Sequence, residues 1–187
     1  MAAREYVELH CHSHFSLLDG ASSPEALVER AVALGYPALA LTDHDGLYGA
    51  VRFWQAAKKR GLKAIIGAEV TLGGACPQGQ RDSHLTLLAG TKRGYANLCR
   101  ILSAGQLAGQ KGQPRLTLET LAGHAEGLIC LSGCRRGAIP AALLAKDDEG
   151  ARRVAREVAA QLREILSPER FWIEVQSQSL PADAQLM

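Results

Sequence analysis

Residues 7–20 read VELHCHSHFSLLDG, and the rest of the chain is best read outward from them. Side chains on an extended strand alternate between its two faces, so His10 and His12 point to one side and Cys11 to the other. Histidine is not a strong strand former, and packing alone does not account for two imidazoles in one small volume at the end of a strand expected over YVELH (6–10). Neutral imidazole is the commonest metal ligand among side chains, so the H-x-H pair raises metal ligation against the ordinary reading of a hydrogen-bonded histidine. His14 shares the parity of the pair but lies past the strand and is set aside. Asp19, just before Gly20, reads either as a turn residue or as a further ligand.

Outward from this stretch, apolar runs rich in Val, Ile and Leu alternate with Ala-rich segments of helical period, the pattern of strand and helix in repetition. Ser22 stands three residues before Glu25, and with Pro24 it predicts the start of a helix running through PEALVERAVALG (24–35). ALALTD (38–43) reads as a second strand. LYGAVRFWQAAKKRG (47–61) reads as a helix, with Lys58, Lys59 and Arg60 in its last turn before Gly61. KAIIGAEVTL (63–72) is the third strand. The connection GGACPQGQRDS (73–83) has no helical pattern, so HLTLLAG (84–90) is expected to return antiparallel as the fourth. Helices follow over KRGYANLCRILSAG (92–105), near LETLAGH (118–124) and at AIPAALLA (138–145), with a fifth strand at GLICLSG (127–133). A long helix in residues 147–166 is expected to be capped by Asp147 and Asp148 and to place Val154, Val158, Leu162 and Ile165 on one face. FWIEVQ (171–176) supplies a sixth strand, and six strands would leave a βα barrel open.

Residues of ligand type recur at these strand ends. His44 follows ALALTD, Glu69 lies in GAEV, His84 opens the fourth strand and Cys134 follows the fifth. In a βα barrel the C-terminal strand ends form one rim, where such folds keep their chemistry. An antiparallel fourth strand would begin on that rim and bring His84 to Glu69. Cys134 also reads as a small buried hydrophobe, since unpaired Cys is among the most buried residue types. His124, between a helix and a strand, is expected to be solvent-exposed. Arg135 and Arg136 directly follow Cys134 and are either solvated arginines or a phosphate-pairing group at the rim.

Composition narrows the classes. The 187 residues suffice for one buried core, so a single domain over 1–187 is expected. Lys plus Arg total 21 against 19 Asp plus Glu, a net charge of +2, so any phosphate contact must be local rather than a product of bulk charge. Five cysteines at irregular spacing, with no C-x-x-C pair, do not form a disulfide framework and suit a reducing cytoplasm. No segment approaches the ~20 apolar residues of a membrane span, and no apolar signal core opens the chain.

ELHCHSHFSLLDGAS (8–22), LALTDHDGLYGAV (39–51), GLKAIIGAEV (61–70), HLTLLAGTKRGYANLCRILS (84–103) and LSGC (131–134) together resemble the PHP (polymerase and histidinol phosphatase) domain at the N-terminus of bacterial DNA polymerase III alpha subunits. GAVRFWQAAKKRGLKAIIGAEV (49–70) leans toward the error-prone alpha-type polymerases. The resemblance implies a distorted (β/α)7 barrel, here truncated before its last strand, with up to three divalent metals (Zn, Mn or Fe) on its rim. It implies that His10 and His12 bind one metal, that Glu69 bridges it to a second held also by His84 and Cys134, and that Asp19 and His44 hold the third. It further implies phosphoesterase chemistry and a 3′ to 5′ exonuclease role in the intact protein. The implied partners are single-stranded DNA or a primer 3′ end, the polymerase body of the same polypeptide, and other replication or repair subunits, with no membrane.

Two departures bear on this. The family's later Asp-x-His pair has no match after FWIEVQ, and the polymerase palm and fingers are absent, so the chain reads as an N-terminal piece. In the other direction it keeps histidine in both HCH and TDH, which favours a site able to bind metal. Alternatives are a structural PHP module without catalysis and a free-standing phosphatase of the histidinol phosphatase type, against which RGYANLCRILS argues. An amidohydrolase barrel also begins with H-x-H, but the placements of TDH and GAEV do not suit it.

Overall fold

The computed structural model describes residues 6–73, 82–145 and 149–176. The chain divides into two compact units, Met1–Glu69 and Val70–Met187. The first holds α1 (Pro24–Ala33), β1 (Ala38–Leu41), α2 (Ala50–Arg60) and the start of β2 (Lys63–Gly73), which runs on into the second. The second holds β3 (Asp82–Ala89), α3 (Lys92–Ala108), α4 (Leu118–Ala122), β4 (Leu128–Leu131), α5 (Ala138–Ala145), α6 (Glu149–Leu166) and β5 (Phe171–Trp172). The strands follow the order β1-β2-β3-β4-β5, a mixed α/β architecture of five strands and six helices among the described residues.

In the first unit β1 and β2 pair in parallel, from Ala38 opposite Lys63 to Leu41 opposite Ile66. α1 begins at Pro24, as its sequence signature predicts, but its cap is the serine next to the one expected. Ser23, not Ser22, is the N-cap, its hydroxyl accepting the Ala26 amide at 3.2 Å with Pro24 in the first turn. The Ser22 carbonyl instead accepts the His14 amide at 2.8 Å. α2 ends on Gly61 at φ 70°, a conformation that costs most residues energy and glycine little. Val28, Leu39, Leu41, Phe53 and Leu62 form the core, and Cys11 packs against it.

The strand expected over YVELH is reduced to a single parallel bridge between Glu8 and Leu39. The cause is local. The Glu8 carboxylate takes the His10 amide at 3.0 Å and the Thr42 hydroxyl takes the Cys11 amide at 2.9 Å, so side chains replace ladder partners. Residues 8–11 still run beside β1, since Ala40 and Thr42 donate their amides to the Glu8 and Cys11 carbonyls.

In the second unit β3 pairs antiparallel with β4, and β4 pairs in parallel with β5. Leu85, Leu87, Leu98, Ile101, Leu121, Leu128 and Leu162 are buried there. α6 buries Ala151, Ala155, Val158, Leu162 and Leu166, with Val154 and Ile165 half-buried at the margins of that stripe. The sixth expected strand is only two residues long, because the Ser132 hydroxyl accepts the Glu174 amide at 2.9 Å where a ladder carbonyl would otherwise stand. The expected caps Asp147 and Asp148, and Cys76 with most of its loop, lie outside the described residues. No helix among the described residues is long and apolar enough to cross a membrane.

Candidate metal centre

The first unit gathers His10, His12, Asp19, His44 and Glu69. Parallel pairing continues past β1 as a bridge from His44 to Glu69, which sets the imidazole and the carboxylate side by side. His44 Nδ1 lies 3.1 Å from Glu69 Oε2, and His44 Nε2 lies 2.7 Å from Asp19 Oδ2. The other two imidazoles meet the same carboxylate. His10 Nε2 is 3.6 Å from Glu69 Oε1 and His12 Nε2 is 3.4 Å from Glu69 Oε2. The side chains of His10 and Glu69 are 4% and 2% exposed, whereas that of Asp19 is 55% exposed at the end of a turn. Asp19 is thus both a turn residue and a member of the cluster. As strand alternation predicts, Cys11 faces the other way, and burial raises its thiol to about 11.

One carboxylate that sequence reasoning passed over sets the orientation of the rings. Asp43 is 2% exposed. It accepts the Ser13 amide and hydroxyl, at 2.7 and 2.8 Å, and the Ser16 hydroxyl at 2.7 Å. The single Ser16 proton is therefore committed to Asp43, and Ser16 Oγ can only accept from its other neighbours. These are the His44 amide at 3.1 Å and His12 Nδ1 at 3.0 Å. His12 must carry its proton on Nδ1, which leaves the lone pair on Nε2, 3.1 Å from His10 Nε2. Desolvation lowers the His12 pKa, with His44 and His10 adding and Glu69 opposing, so the neutral ring is favoured. A neutral imidazole with its lone pair turned inward is the form a metal requires. His10, His12 and Glu69 offer ligand atoms all within 4.8 Å of one another. A buried carboxylate facing three imidazoles is a donor set that a divalent cation fits in charge and chemistry. The available signals for Asp43, Ser13 and Ser16 were their places in TDH and HSHFS, between the ligand-type residues.

In the second unit, buried His84 at the start of β3 and half-buried Cys134 after β4 face each other, with Sγ 3.7 Å from Nδ1. Gly133 makes this possible. Its φ is 84°, and a Cβ there would lie 2.5 Å from the His84 carbonyl oxygen. The His84 amide donates to the Arg136 carbonyl at 3.1 Å, so Arg136 holds His84 through its backbone while its side chain is exposed. Arg135 is half-buried and lines a shallow recess with Cys134, Ile139, Ile173 and Gln176. His124 is half-buried rather than exposed, because its Nδ1 bonds back to the Thr120 carbonyl at 3.0 Å. His14, set aside from the sequence, stacks on Phe15 with ring centroids 4.5 Å apart.

The elements and the cluster define a class: an α/β domain with histidines and a buried carboxylate gathered at adjoining strand ends. The chain belongs to the PHP domain family, whose model matches residues 8–178. It is 41% identical over 196 residues to the DNA polymerase III subunit alpha of Treponema pallidum, covering 100% of this chain and 16% of that protein. It is 44% identical over 183 residues to the error-prone DNA polymerase of Mycobacterium bovis, covering 95% of this chain and 16% of that protein. The chain thus spans about a sixth of the length of these relatives. In fold it matches a predicted metal-dependent phosphoesterase from Bifidobacterium adolescentis, with a TM-score of 0.58 and 14% identity over 98% of this chain and 82% of that one.

Proposed function

We propose that the chain is the PHP module of an alpha-type, error-prone DNA polymerase and that its His–carboxylate cluster hydrolyses phosphodiesters at a nucleic-acid 3′ end. The observation that carries this reading is the convergence of His10, His12 and His44 on the buried Glu69 carboxylate, with the His12 lone pair aimed inward by Ser16 and Asp43. In this reading His10, His12, Glu69, His44 and Asp19 are ligands in the first unit, and His84 and Cys134 are ligands in the second. Nitrogen, oxygen and sulfur donors together suit Zn, Mn or Fe. A bound metal supplies a Lewis acid for the phosphoryl oxygen and a water of lowered pKa. His44 bridges buried Glu69 and half-exposed Asp19, and so ties the buried carboxylate to the solvent-facing one. Arg135 and Arg136 are the proposed phosphate-pairing groups, and the polymerase body and other replication or repair subunits are the proposed partners.

The test is hydrolysis of bis-p-nitrophenyl phosphate by the polypeptide that carries the chain, supplied in turn with Zn, Mn or Fe. Activity with at least one metal is expected, together with a loss of about 100-fold or more in His44→Ala at unchanged circular dichroism. Equal, metal-independent rates in both proteins would sink the reading, and a metal-loaded but inert protein would leave a structural module.

A further inference from the structure

α2 keeps one face out of the core. Phe53 and Ala57 are fully buried, yet Val51 and Trp54 are 64% and 50% exposed, and Tyr48, just before the helix, is 68% exposed. On the helix Val51, Trp54 and exposed Lys58 follow spacings of three and four residues, which lines them up as one stripe, and Tyr48 stands in the turn that leads into it. Large apolar side chains gathered on an exposed surface mark interaction sites. Both rings have a close neighbour on this surface. That of Tyr48 packs against Gly46, where a Cβ would lie 2.3 Å from Cε2, and the Lys58 ammonium sits 5.0 Å from the Trp54 ring centroid.

The charge of the helix says what would cover the stripe. α2 contains Arg52, Lys58, Lys59 and Arg60 and no acidic residue. Glu25 and Glu29 of α1 bind Arg52 and Arg60 at 2.8 and 2.6 Å, which leaves the lysines to set the charge beside Trp54. Aromatic faces interleaved with ammonium groups match a strand whose bases stack while its phosphates pass the cations. Tyr48, at the head of the stripe, stands four residues after His44, a member of the cluster.

We propose that Tyr48, Val51, Trp54 and Lys58 form a track that binds single-stranded nucleic acid and leads its end toward His44. The proposal rests on the reading of the cluster as a site for nucleic-acid phosphodiesters.

Within the 187-residue chain Trp54 and Trp172 are the only tryptophans, so in that chain Trp172→Phe makes Trp54 the sole indole reporter. Titration of that variant with oligo(dT) at low salt should quench Trp54 saturably, with an affinity that falls as salt rises. With a labelled oligo(dT) read by polarisation, Tyr48→Ala and Trp54→Ala should each bind about tenfold more weakly, and Trp54→Phe should recover most of the loss. Lys58→Ala should lower the salt slope by about 0.7. Leu107→Ala, exposed on α3, serves as the control and should bind as wild type. Unquenched Trp54 at saturating oligo(dT), or wild-type affinity in both aromatic variants, would overturn the track and leave the stripe to a protein partner. Hydrolysis of bis-p-nitrophenyl phosphate separates the two ideas. If it persists while the stripe fails to bind, only the track is wrong; if it is absent while Trp54 is quenched, only the hydrolytic reading is wrong.

Discussion

The Ser16 hydroxyl has one proton and three polar neighbours, and that count decides the state of His12. Its hydroxyl donates to Asp43 and accepts from the His44 amide and from His12 Nδ1. A half-buried ring held in this way resists protonation, and desolvation is the main cause of its lowered pKa. The unfolded chain takes up a proton near the ordinary 6.5, whereas the folded chain takes it up only at lower pH. Within that window the unfolded state binds more protons, so the contribution is fully present above 6.5 and is lost as pH falls through the folded value. The urea midpoint of the metal-free chain should therefore drop as pH is lowered from 6.5, and His12→Gln should flatten that dependence. An unchanged slope in the variant would assign the effect to another group. At this scale the histidines were legible because few residues have their chemistry. Asp43, Ser13 and Ser16 were not, because small polar residues in loops look alike until a partner some 30 positions away is known.

Helix ends were more legible than strand ends, for a reason of range. A cap is made by residues within one turn, so Pro24, Gly61 and the Lys58–Arg60 run announce where α1 starts and α2 stops. A strand is defined by a partner elsewhere, and side chains can take that partner's place, as Glu8 and Thr42 do for residues 8–11 and Ser132 does after β5. The error at α1 was of the local kind: two adjacent serines compete for one cap, and the signature picked the wrong one. Ser23→Ala should cost about 1 kcal/mol in urea unfolding, since its hydroxyl caps the Ala26 amide. Ser22→Ala should change stability by no more than about 0.5 kcal/mol, because only its carbonyl is used. The reverse order would return the cap to Ser22.

Over the whole chain, the alternation of apolar runs and Ala-rich helices was enough to give the α/β class, while the number and length of strands depended on side-chain substitutions that no periodicity reveals. The chain divides after Glu69 into two compact units. If the cluster of the first unit holds a metal in the folded state alone, binding must raise global stability, by about 2.7 kcal/mol at a hundredfold excess over Kd. Thermal unfolding with added Zn or Mn should therefore shift upward and return with a chelator, and a His10→Ala, His12→Ala double variant should show a much smaller shift. Equal shifts in both proteins would place the metal elsewhere. The burial of individual thiols carries a different consequence, for how the molecule ages in air. Cys11 is pushed up to about 11 and Cys130 higher still, both chiefly by desolvation. Neither presents a thiolate to peroxide or to an alkylating reagent while the fold is closed. Among the described cysteines, wholly buried Cys130 should be the last to suffer oxidative wear, and the day it takes up a label is the day its strand has come apart.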